Sequence, residues 1–147
     1  MNFRKLLFPV LAVFMAVGLI GNANAAVMDA KHKVVIQVSD ADPAAQVIAL
    51  NNAVQMQTAA GIDNIDIEIV AYGPGLALLT AANTNSERVK SMSVQDIKFS
   101  ACGNTMKKMA KANGGVEPVL TEGVKVVPAG AIRIMELQEA GYSYLRP

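Results

Sequence analysis

Val34-Val35-Ile36-Gln37-Val38, followed at once by Ser39-Asp40-Ala41-Asp42-Pro43, sets the reading of the whole chain. The first five residues are a nearly continuous β-branched run of strand length, and the next five combine turn and helix-start residues. Asp42 can cap a helix whose first position is Pro43, where a missing N–H costs nothing. Beyond it, Val47, Leu50 and Val54 fall at helical spacing between Ala44 and Ala60, and Gly61 is free to adopt the left-handed stop. The stretch reads as strand, then helix.

Further along the chain the unit repeats. Ile65 to Tyr72 reads as a second strand whose first half alternates, broken by Gly73-Pro74-Gly75, which reads as a tight turn. A short helical or irregular stretch through Asn83 and a helix over Ser86 to Met92 follow. Val94 to Ala101 reads as a third strand, Asn104 to Asn113 as a helix stopped by Gly114-Gly115, and Val124 to Val127 as a fourth strand. Ala129 to Ala140 reads as a helix stopped by Gly141, and Tyr142 to Leu145 as a last short strand. Such alternation predicts an α/β fold: a three-layer α/β/α sandwich, flavodoxin-like in appearance, with a mainly parallel sheet of about five strands. Parallel strands are covered on both faces, which accounts for the almost solidly apolar Val34 to Val38 and Val124 to Val127.

Residues 1–25 read differently. Arg4 and Lys5, an apolar run from Leu6 to Ile20 and the small-residue tripeptide Ala23-Asn24-Ala25 follow the layout of a signal peptide cleaved after Ala25. The apolar run is 15 residues long, shorter than the roughly 20 that a spanning helix needs. The expectation is a periplasmic or secreted protein, free of the membrane after cleavage, with residues 26–147 as a single domain. Of the 13 Lys plus Arg, Arg4 and Lys5 lie in the leader, so 11 remain against 12 Asp plus Glu, a formal charge of −1. Near-neutrality without a basic stripe argues against a nucleic-acid partner, since clustered cations supply most of that affinity. Lys107, Lys108 and Lys111 read as the wet face of a helix.

In parallel sheets of this kind the functional crevice lies beyond the carboxyl ends of the strands. The loops to watch are therefore Ser39 to Pro43, Tyr72 to Gly75, Ala101 to Thr105 and Pro128 to Gly130. One of them holds Cys102, the only cysteine in the chain, at the end of the third strand and the start of a helix. A helix N-terminus presents unpaired N–H groups and partial positive charge, which favour thiolate over thiol. The competing reading is a cysteine that only packs, since Cys is among the most buried residue types. Gly103 would let the backbone approach a ligand, and Asn104 or Thr105 can cap the helix and donate to a sulfur anion. His32, ahead of the first strand, is the only histidine, so neither a metal site nor a Cys-His hydrolase is expected. No cofactor is expected, because neither the dinucleotide fingerprint nor the Walker pattern occurs.

Four motifs, in order along the chain, carry a resemblance. Ala71-Tyr72-Gly73-Pro74-Gly75-Leu76, Ala101-Cys102-Gly103-Asn104-Thr105-Met106, Val127-Pro128-Ala129-Gly130 and the terminal Gly141-Tyr142-Ser143-Tyr144-Leu145-Arg146-Pro147 together resemble an exported member of the DsrE/DsrF-like family. The resemblance implies a compact α/β/α fold, homo-oligomer formation, and sulfur relay through a persulfide on a cysteine, at the position of Cys102. Sulfur donor and acceptor proteins are the expected partners, and Tyr72, Gly73, Gly103, Asn104 and Thr105 around Cys102 the expected substrate site. Relatives of the exported branch often carry His where this chain has Tyr72, so no general-base or metal role passes to that position, although Tyr can hydrogen-bond a bound anion. The sequence-level reading is a carrier more than an enzyme with turnover. An oligomeric small-ligand or protein-interaction module with an inert Cys102, or a thiol redox sensor, are the alternatives.

Overall fold

The computed structural model describes residues 31–147. The leader expected over residues 1–25 lies outside them. Five strands, β1 (His32–Val38), β2 (Ile65–Ala71), β3 (Ile97–Cys102), β4 (Val124–Val127) and β5 (Ser143–Leu145), form one sheet in the order β4-β3-β2-β1-β5. Every pairing is parallel, as the alternation of strand and helix predicts. Helices α1 (Pro43–Ala60), α2 (Ser86–Ser93), α3 (Gly103–Ala112) and α4 (Gly130–Glu139) connect them.

β1 to β4 step across the sheet in one direction, and α1, α2 and α3 bury their apolar sides together on one face. Leu50, Val89, Met92 and Met106 there meet Ile36, Ile67, Ile69 and Phe99. The chain then returns from edge strand β4 to the opposite edge, β5, and α4 lies alone on the second face. A much smaller cluster, Val35, Val70, Ile134 and Leu137, holds it there. Because one helix cannot cover half of a five-stranded sheet, the uncovered part of this face is polar. Asp66 and Glu68 of β2, Lys98 and Ser100 of β3 and Lys125 of β4 line an open cleft of about 740 Å³ beside α4.

Several sequence expectations are corrected by this arrangement. β4 is an edge strand with Val126 56% exposed, so coverage on both faces accounts for β1 but not for β4. Helix α1 buries Gln46, Ala49, Leu50 and Ala53, one residue round from the expected Val47, Leu50, Val54 stripe. Small side chains let the helix lie close to the sheet, and Val54 turns outward. β3 starts at Ile97, not Val94, because Asp96 takes a positive φ of 63° and Val94 is exposed. Gly73-Pro74-Gly75 is no isolated turn. It opens a 3₁₀-helix, Gly73–Leu79. The start of α1 is as the sequence indicates: Asp42 Oδ1 accepts from the Ala44 N–H at 2.9 Å, with Pro43 in the first turn.

Candidate functional site

The site forms where α3 and α4 leave neighbouring strands for opposite faces. α3 begins directly after β3, and α4 begins three residues after β4. Their N-termini splay apart at the carboxyl edge of the sheet, the position at which open parallel sheets place their crevice. Cys102, the last residue of β3, sits in the fork.

Two observations describe the environment of its sulfur. Cys102 is only 5% exposed, and burial by itself pushes the thiol up. Against this, the Thr105 hydroxyl and the backbone N–H groups at the starts of α3 and α4 lie around the sulfur and favour its thiolate. The donors prevail, and the thiol is held below its ordinary value. They come from both helices: Asn104 and Thr105 lie in the first turn of α3, and Gly130 is the first residue of α4. Each helix start turns the positive end of its dipole toward the cysteine.

Thr105 links this arrangement to the next loop. Its Oγ1 accepts from the Gly73 N–H at 2.9 Å. Gly130 is a glycine for want of space: a Cβ there would stand 3.0 Å from both Cβ and Cδ1 of Tyr72 and 3.3 Å from Cys102 Cβ. Tyr72 is thus wedged against the start of α4, beside the cysteine. Tyr72 and Thr105 also line an open, largely apolar groove of about 560 Å³, with Pro74, Asn104, Lys108 and Met109.

The structure therefore brings together Cys102, Thr105, Asn104, Gly73 and Tyr72, drawn from two of the loops marked in the sequence. Asn104 and Thr105 do not cap α3. Cys102 occupies the cap position and its side chain makes no cap hydrogen bond, so these two residues lie in the first turn beside the sulfur. The N–H of Asn104 also meets Pro128 O at 3.2 Å, tying the start of α3 to the β4–α4 loop. Gly103 lies in the turn but is not among the donors to sulfur. A Cβ on it would stand 3.2 Å from Val127 O, a close backbone approach between β3 and β4. Sequence reasoning missed Gly130 as a donor; its only signal was a glycine in a loop at the carboxyl end of a strand. Among the described residues, no group of three or more His, Cys, Asp and Glu is placed to hold a metal ion.

Substituting Thr105 isolates the hydroxyl. Thr105→Val keeps the side-chain shape and removes the hydroxyl, both as a donor near sulfur and as the acceptor of the Gly73 N–H, so the thiol rises and its thiolate fraction at neutral pH falls. A hydrogen bond to a charged group contributes about 1.5 kcal/mol or more, which corresponds to about tenfold slower alkylation at pH 7. At a pH where both thiols are fully ionised the rates converge, and Thr105→Ser restores the neutral-pH rate. Iodoacetamide kinetics followed by intact mass check both points.

A five-stranded, all-parallel sheet flanked by helices, with Cys102 at its carboxyl edge between two helix starts, defines an α/β protein. The chain belongs to the DsrE/DsrF-like family, which matches residues 32–147. Among solved structures it is similar to a protein of unknown function, MTH1491, from Methanobacterium thermoautotrophicum. The identity is 29% and the TM-score 0.70, over 79% of this chain and 99% of that one. It also shares the fold of the ychN protein from E. coli, at 14% identity and a TM-score of 0.57, over 77% of this chain and 96% of that one. No curated protein matches.

Proposed function

We propose that this protein is an exported sulfur carrier of the DsrE/DsrF type. Its Cys102 thiolate attacks the outer sulfur of a donor persulfide, takes that sulfur as Cys–S–SH and releases the donor as its thiol. A partner thiolate then attacks the outer sulfur of the Cys102 persulfide, leaving with it and regenerating the Cys102 thiolate. No oxidant is consumed, which suits a chain with one cysteine and no second thiol to form an internal disulfide. The observation that carries the reading is the place of Cys102 at the end of β3, as cap residue of α3 and packed against Gly130 at the start of α4. Two helix starts there favour a thiolate before attack and a persulfide anion after it. Tyr72 and Gly73, which border the groove, would meet the donor molecule, and the apolar groove would receive its body. The leader over residues 1–25 would send the protein to the periplasm or outside the cell, where it would act as a homo-oligomer with donor and acceptor proteins as partners. Exposure of purified protein to polysulfide, followed by intact mass, tests the reading. The expected result is a gain of about 32 Da, one sulfur atom, removed by reductant; no reductant-labile gain overturns it.

A second reading rests on the 5% exposure of Cys102. In it, the thiol is a packing element and the apolar groove binds a ligand or a protein segment by itself. A thiol of that kind resists alkylation until the protein unfolds.

A further inference from the structure

Glu68 is 2% exposed, yet it is charged and lies on the sparsely covered face of the sheet. Its two oxygens are fully engaged. Oε1 accepts from Ser100 Oγ at 2.7 Å and from Arg133 Nε at 2.8 Å, and Oε2 accepts from Arg133 Nη2 at 2.7 Å. The pair is bidentate, the geometry in which a guanidinium fixes both direction and distance. Ser100 precedes Cys102 by two residues on β3, so both side chains leave the strand on the same side. Arg133 follows Gly130 by three residues on α4, about one helical turn. The Glu68 network therefore joins the strand that carries the sulfur to the helix whose first residue packs against it.

Few other contacts hold α4. Tyr72 packs against its first residue and Lys33 Nζ donates to Ala140 O just beyond its end; its apolar contact with the sheet is the small cluster around Ile134 and Leu137, and the open polar cleft runs along its β4 side. A shift of α4 along the sheet would carry its N-terminus away from Cys102.

We propose that Glu68 and Arg133 are positioning residues: their bidentate pair, tied to Ser100, fixes the first turn of α4 so that its N-terminus, at Gly130, stays aimed at Cys102. The proposal rests on the reading of Cys102 as a working thiolate, and it assigns a function to a buried ion pair that touches neither sulfur nor substrate. The other charged groups facing the pair are Lys98 on β3 and Glu136 on α4.

The test is the pH profile of Cys102 alkylation in Arg133→Lys and Glu68→Gln, with Asp66→Asn as control. Arg133→Lys keeps the charge and loses the bidentate fork, so a through-space effect leaves the profile where it was. Loss of aim moves it to higher pH. Glu68→Gln removes a negative charge, so a through-space effect moves the profile to lower pH, whereas loss of aim again moves it up. The expected result is a shift to higher pH in both variants, with alkylation at pH 7 at least about threefold slower. Asp66→Asn, which breaks an ion pair with Lys98 and a bond from Tyr142 on the same face, leaves the profile unchanged. An Arg133→Lys profile that overlays the wild type, or a Glu68→Gln profile moved to lower pH, overturns the proposal. Should Glu68→Gln fail to fold, Arg133→Lys decides alone. The readout needs no sulfur donor, so a moved profile in a protein that never loads sulfur upholds the positioning role and rejects the carrier function.

Discussion

Cys102→Ser is expected to fold as the wild type does and to gain no sulfur at all from polysulfide. Serine places a smaller, strongly hydrogen-bonding atom where Sγ was, and the Thr105 hydroxyl with the N–H groups of Gly130, Thr105 and Asn104 can donate to it. The stability change should stay within about 1 kcal/mol, since no buried polar group loses its partner. Chemistry, in contrast, disappears. An alcohol is not ionised at neutral pH and forms no persulfide, and the chain holds no other cysteine to take over. Melting temperature and intact mass read the two halves of this prediction separately. Equal loading of both proteins would place sulfur binding away from Cys102 and end the carrier reading.

The second large effect concerns stability. Gly75→Ala is expected to lose about 3 kcal/mol or more, or to prevent folding. A Cβ at position 75 would overlap the carbonyl oxygen of Val38 and stand 2.6 Å from its carbonyl carbon and 2.8 Å from Ser39 Cα. All three are backbone atoms at the end of central strand β1, which cannot swing aside as a side-chain tip does. Overpacking in a well-packed core costs roughly 1–3 kcal/mol even when side chains yield, and here the main chain must move. The consequence reaches the site, because this 3₁₀-helix begins at Gly73, whose N–H holds Thr105. Urea denaturation of Gly75→Ala checks the magnitude. A midpoint equal to wild type would show that the two segments are not in contact.

The sequence made the sheet legible because parallel strands leave strong local signals: β-branched runs, turn residues, and Asp42-Pro43 at a helix start. Signals that depend on tertiary distance were not legible. The apolar face of α1 was misplaced by one residue because Ala49 and Ala53, which pack closest, weigh little in a count of large apolar residues. Val94 looked like strand, but its neighbour Asp96 turns the chain with a positive φ, and nothing local marks that turn in advance. Cys102 was readable from its place between a strand and a helix. Gly130 as its second source of N–H was not, since it lies 28 positions further on and arrives only through the crossover of β4 to α4. For the same reason Glu68 and Arg133 gave no sign of their pairing: they are 65 residues apart. Ser100 looked like one more polar residue in a strand.

Burial raises the Cys102 thiol and the nearby donors lower it; the donors prevail, and the 5% exposure still admits a small reagent. Native-state alkylation of Cys102 across pH, read by intact mass, tests that claim most directly. The account predicts labelling of the folded protein with a midpoint below the roughly 8.5 of an ordinary cysteine. A thiol that stays unlabelled at every pH until denaturant is added would contradict it and leave Cys102 as a residue of the core.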